Sequence, residues 1–205
     1  MKELAIYGGT FAPVHNGHVL AANALLEMLR PDRLLIIPTL IPPHKQINFD
    51  DDPLDRLKML HLTFDGHPEY GKKLFISEYE LHSPPPSYTV NTLKHFTSPD
   101  THITFLCGTD MFLTVHSWYR AEEIFKLCTV ALMKREADSG EIAEKIEKQT
   151  RFLKETYNAD IITIDVPPIE ISSSEIRSGG DILQKKYLPP AVYEYIKEKK
   201  LYGVK

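Results

Sequence analysis

The chain has 205 residues, 42% of them hydrophobic, and a formal net charge of −4. That length suits one domain with a sizeable core, and the acidic balance excludes a general nucleic-acid binder, which carries a basic face. No apolar run approaches the roughly 20 residues that cross a bilayer, and no basic segment followed by an apolar one opens the chain. A cytoplasmic protein without membrane contact is therefore expected.

The first element is an apolar strand over residues 4–7 that stops at Gly8 and Gly9. Thr10 to Pro13 form a turn. His15 and His18 then lead into an apolar-periodic helix over residues 17–29. A helix start offers free N–H groups and the positive end of its dipole, which together suit phosphate. Glycine at positions 8 and 9 lets a ligand approach the backbone. The segment lacks the third glycine of the dinucleotide fingerprint and the Gly-Lys-Ser/Thr of a Walker loop. The two histidines also have plainer readings, as a helix-face pair or as half of a zinc site. A zinc site wants further ligands, and the segment offers only Glu27, two turns away.

A second buried strand is expected over residues 33–38, then a Pro-rich loop over 39–52 containing Pro42-Pro43-His44-Lys45. A helix over 53–63 begins on a proline, as first helical turns often do. A strand follows over 74–77, then a loop with three consecutive prolines. Residues 88–96 read as a helix with Ser87 or Thr89 near its cap. Strands are expected over 102–107 and 129–133, each carrying one cysteine at or beside it, Cys107 and Cys128. Both are read as buried thiols. A charged helix over 140–157, a strand over 161–164 and short helices over 172–178 and 189–199 complete the chain. Strands alternating with helices imply an α/β fold: a Rossmann-like, doubly wound, mostly parallel sheet with helices on both faces. One domain over 1–205 is expected, its part from about residue 165 onward carrying a serine motif. In such sheets ligands bind beyond the carboxyl ends of the strands. Gly108, Thr109 and Asp110 follow one of those ends, with Trp118 further on.

The serine motif is Ile171-Ser172-Ser173-Ser174-Glu175-Ile176-Arg177. Serine three residues ahead of glutamate is a helix-start signature. Three hydroxyls and a planar guanidinium also suit phosphate oxygens. Taken alone, capping of a short helix, with Arg177 solvating it, accounts for the motif slightly better than a phosphate site does.

Gly8-Gly9-Thr10-Phe11 and His15-Asn16-Gly17-His18 together with this motif resemble the H-x-G-H nucleotidyltransferase superfamily. Pro42-Pro43-His44-Lys45, Ser87-Tyr88-Thr89, Gly108-Thr109-Asp110 and Trp118-Tyr119 are similar to segments of its bacterial nicotinate-nucleotide adenylyltransferases. The resemblance spans essentially the whole chain. The family's opening motif commonly carries an acidic residue where this chain has Ala12. The resemblance implies transfer of AMP from ATP to nicotinate mononucleotide, with Mg²⁺ carried by ATP and no protein metal ligands. It implies catalytic roles for His15, His18, Lys45 and Arg177. ATP would meet Gly8, Gly9, Thr10, His15, His18, Gly108, Asp110, Ser173, Ser174 and Arg177. Nicotinate mononucleotide would meet His44, Lys45, Tyr88, Thr89, Asp110, Trp118 and Tyr119. Homo-oligomerisation stays open. Without the resemblance, Trp118 reads as core packing and Asp110 as a helix cap.

Overall fold

The structure is a computed structural model, and it describes residues 1–43, 52–134, 139–165 and 171–203. His44 and Lys45 lie outside the described residues. Six strands form one sheet: β1 (Lys2–Gly9), β2 (Arg33–Pro38), β3 (Leu74–Ile76), β4 (Thr101–Gly108), β5 (Thr129–Lys134) and β6 (Ile161–Asp165). Their order is β3-β2-β1-β4-β5-β6, and every neighbouring pair is parallel, so the sheet is wholly parallel. The chain winds outward from β1 in one direction and then outward from β4 in the other. The order therefore reverses between β1 and β4, where open α/β sheets leave a crevice at the carboxyl ends.

The strand centres are apolar because both faces are covered. Successive side chains alternate. Ala5 and Tyr7 of β1, with Leu34 and Ile36 of β2, enter one core. Ile6, Leu35 and Ile37 enter the other. The first core is covered by α1 (Asn16–Leu29), α2 (Pro53–Phe64), α7 (Ser173–Ser178), α8 (Gly180–Tyr187) and α9 (Pro190–Lys199). The second is covered by α3 (Thr89–Phe96), α4 (Thr109–Thr114), α5 (Ala121–Leu127) and α6 (Glu141–Tyr157). Asp52 caps α2, its carboxylate accepting from the Leu54 N–H at 2.8 Å. Tyr195 on α9 donates its hydroxyl to Asp55 on α2 at 2.6 Å, which ties the C-terminal helices to that element.

The apolar pattern places no helix in residues 109–127 or 180–187, yet α4, a 3-10 turn at Val115–Ser117, α5 and α8 form there. These pieces are too short to show a helical period. Burial of Phe112, Val115, Ile124 and Phe125 holds the first three. The cap of α3 is Tyr88 rather than Ser87 or Thr89, and it makes no side-chain capping bond. Cys107 and Cys128 are buried free thiols, as expected. Burial pushes both thiols up, Cys128 to about 12, so neither supplies a thiolate near neutral pH.

Candidate active site

The opening motif leaves the carboxyl end of β1 at the reversal point. Phe11 adopts a left-handed backbone, φ 52°, and buries its ring. That ring lies where a side chain at position 9 would go: a Cβ on Gly9 would stand 3.1–3.3 Å from it. A side chain at position 9 would therefore need the Phe11 ring to give way by a few tenths of an ångström. A Cβ on Gly8 would meet only ordinary contact with Phe105, at 3.6 Å, so packing does not demand glycine there.

His15 is the N-cap of α1 and is 6% exposed. Its carbonyl accepts from the His18 N–H at 2.8 Å. Its own N–H donates to His18 Nδ1 at 3.0 Å. Nδ1 of His18 is therefore the acceptor of its ring, and the neutral imidazole carries its proton on Nε2. The two imidazoles lie with centroids 3.7 Å apart, and the Phe11 ring meets His18 edge-on at 5.0 Å. The rings around His18 hold its orientation.

The serine motif reaches this loop from the other end of the chain. Arg177 donates to the Ala12 carbonyl, 165 positions away, and to Ser174 Oγ at 3.0 Å. Ser173 Oγ donates to the Pro13 carbonyl at 3.0 Å. Ser172 caps α7 in a reciprocal box: its hydroxyl accepts from the Glu175 N–H, and its own N–H donates to the Glu175 carboxylate at 2.7 Å. Capping and convergence on the first motif are therefore both present. Ala12 is buried, and its main-chain carbonyl is what meets Arg177.

On the β4 side, Gly108 caps α4, and Asp110 is an exposed residue of its first turn rather than the cap. Thr109 is buried beside it. Tyr88 and Thr89 stand at the start of α3. The Tyr88 ring lies 4.4 Å from the ring of Tyr119, which is 50% exposed. Trp118 is half-buried and meets Phe105 edge-on at 6.3 Å. It packs against the second core while keeping part of its indole accessible. The described candidate residues therefore stand at the carboxyl ends of strands or in the loops and short helices that follow them. The serine motif meets the opening loop directly, and Tyr88 meets Tyr119.

Two residues here carry no motif. Arg56 on α2 is fully buried and donates to the carbonyls of Thr10, Thr39 and Leu40. Glu80 is 6% exposed and accepts from Thr92 Oγ1 at 2.6 Å. Burial pushes the Glu80 carboxyl up, while hydroxyls of Thr92, Thr39 and Ser87 pull it back. In the sequence both look like surface charges. A positive residue inside the apolar period of α2 is the only hint of the first.

Known proteins are similar to this chain in sequence and fold. The cytidylyltransferase-like family model matches residues 6–179. A probable nicotinate-nucleotide adenylyltransferase from Caldicellulosiruptor saccharolyticus is 35% identical over 204 residues, covering 98% of each chain. One from Geobacillus thermodenitrificans is 36% identical, covering all of this chain and 88% of its own. The solved nicotinic acid mononucleotide adenylyltransferase of Plasmodium falciparum, complexed with NaAD, has the same fold. It superposes with a TM-score of 0.78 at 22% identity over 100% of this chain and 99% of its own. The chain belongs to the cytidylyltransferase-like family and, within it, to the nicotinate-nucleotide adenylyltransferases.

Proposed function

We propose that this enzyme transfers AMP from ATP to nicotinate mononucleotide, giving deamido-NAD and pyrophosphate. The observation that carries the proposal is the junction of the two phosphate-type motifs, through Arg177 on the Ala12 carbonyl and Ser173 on the Pro13 carbonyl. A phosphate oxygen of the mononucleotide attacks the α-phosphorus of ATP. The bond to the bridging oxygen breaks, and pyrophosphate departs with the electron pair. The attacking phosphate has a second pKa of about 6, so it arrives ionised and needs no general base. What it needs is alignment and relief of crowded negative charge.

His18 supplies that relief from Nε2, since its Nδ1 is engaged by the His15 amide. His15, at the helix start beside it, serves the same phosphates. Gly8, Gly9 and Thr10 let the adenylyl group lie along the backbone, with Gly108 and Asp110 on the β4 side. Ser173, Ser174 and Arg177 take the outer phosphates. Lys45, with His44, serves the same phosphates. Mg²⁺ enters as part of the MgATP substrate. Phosphate oxygens and water would hold the ion, as hard cations prefer.

Trp118 stacks on the pyridine, with Tyr88, Thr89 and Tyr119 around it. N–H groups at the start of α3 receive the nicotinate carboxylate. An amide in its place would leave a donor facing a donor, so the acid form is preferred. A pyrophosphate-release assay with ATP and either mononucleotide tests the assignment. Turnover with the nicotinate form is expected, and faster than with the amide. Silence with both would overturn the activity, and equal rates would overturn the carboxylate preference alone.

A further inference from the structure

Residues Thr39–Ile41 leave β2 and run between the two halves of the site. On one side they meet the opening loop: the Thr39 N–H donates to the Gly9 carbonyl at 2.9 Å. Arg56 reinforces that seam from below, its Nη1 donating to Thr10 O at 2.9 Å and Thr39 O at 2.6 Å, its Nη2 to Leu40 O at 3.2 Å. One planar guanidinium thus joins two loops through three carbonyls. On the other side, Ser87 Oγ accepts from the N–H groups of Leu40 at 3.2 Å and Ile41 at 3.4 Å. The Ser87 N–H donates back to Ile41 O at 3.0 Å. Glu80 sits behind this second seam. It takes the Thr92 hydroxyl from α3, with Thr39 and Ser87 hydroxyls facing the same carboxyl.

Two buried ionisable residues therefore grip one three-residue strap from opposite sides. Burying such groups is costly, and a fold reaches stability more cheaply with apolar residues in their place. Their geometry explains their presence. The fork of Arg56 spans carbonyls in two loops, which an ammonium does not reproduce. Glu80 accepts where hydroxyls converge from three segments.

We infer that Arg56 and Glu80 are positioning residues that set the spacing between the Thr10 side and the Ser87–Thr89 side of the site, and so align the two substrates for in-line attack. The inference rests on the proposed function, with ATP on the Thr10 side and the mononucleotide on the Ser87 side. Displacement of one reacting group by about 1 Å costs roughly 100-fold in rate. Loosening the Thr10 seam should thus appear in kcat. Loosening the Ser87 seam should appear in recognition of the mononucleotide.

The test compares full-length wild type, Arg56→Lys, Glu80→Gln and a packing control, Met59→Ala, on the same buried face of α2. Melting temperatures and steady-state constants are measured for each below its own transition. Arg56→Lys should lower kcat by roughly 100-fold, with the KM for ATP within a few-fold of wild type. Glu80→Gln should raise the KM for nicotinate mononucleotide up to about tenfold and leave that for ATP unchanged. Met59→Ala should lose stability and keep its kinetic constants. If Arg56→Lys does not fold, Glu80→Gln carries the test, since it leaves every Arg56 bond in place. An active wild type whose clamp variants lose only stability, as the control does, would overturn the inference alone. So would a Glu80→Gln enzyme with both KM values unmoved or moved together. A wild type that releases no pyrophosphate would overturn the proposed function, and the clamp with it.

Discussion

At the carboxyl ends of β1 and β4, His15, His18 and Thr109 surround the point where strand order reverses. At the amino ends of β1, β4, β5 and β6, a similar set of side chains stands in a row. His102 Nδ1 pairs with Glu3 at 2.7 Å, its Nε2 lies 2.9 Å from Thr129 Oγ1, and Thr129 donates to Asp160. A cavity of about 180 Å³ opens beside this row. Histidine, hydroxyl, carboxylate and cavity are all present, yet both His102 ring nitrogens are committed to protein partners across the sheet. The contrast shows that residue type does not make a site here. The first set stands at helix starts, where N–H groups face outward and an anion is favoured. The second stands at strand starts and closes on itself as a brace.

The sharpest way to break the comparison is His18→Ala. Loss of a donor to the transition state should lower kcat by about 10²–10³, with a small change in melting temperature. A near-normal kcat would place His18 with His102 among structural residues. Trp118→Ala comes next. Its KM for the mononucleotide should rise about tenfold, as loss of an aromatic contact of ~1.4 kcal/mol implies, while kcat holds. An unchanged KM would return Trp118 to the core. His102→Ala should behave in the opposite sense, losing about 1–2 kcal/mol in denaturant unfolding with kcat unaltered.

The smallest expected effect is a slope with pH. Burial raises the Glu80 carboxyl above its ordinary 4.5. Between that value and its raised one, the native state binds more protons than the unfolded chain. The contribution of Glu80 to stability is therefore whole below 4.5 and is lost as pH rises through the raised value. Unfolding curves of wild type against Glu80→Gln should show the wild type losing ground as pH increases through that window. A flat difference would mean that Glu80 titrates as an exposed carboxylate does.

Several features were legible before the structure. The apolar run over Arg33–Pro38 is a strand with those bounds, because proline ends its ladder. The serine-to-glutamate spacing of α7 forms the capping box it suggests. The apolar strands of both halves read correctly because a sheet covered on two faces leaves a signal that needs no partner to be recognised. The helices α4, α5 and α8 were not legible, since six to eight residues carry little period. Nor were Arg56 and Glu80. Burial of a charge is decided by what folds over it, and the residues that receive Arg56 lie 16 to 46 positions away.

The sequence alone determined the fold class, the two motifs and the chemistry they suit, because hydrophobic period, glycine placement and capping residues act over a few positions. The tertiary structure decided the rest. It brought Arg177 to the Ala12 carbonyl across 165 positions and assigned the acceptor role to Nδ1 of His18. It also turned His102 into a brace and Arg56 into a clamp. Those outcomes depend on which end of the sheet a side chain occupies and on what meets it there. Both are set by strand order, through contacts between segments far apart in the chain.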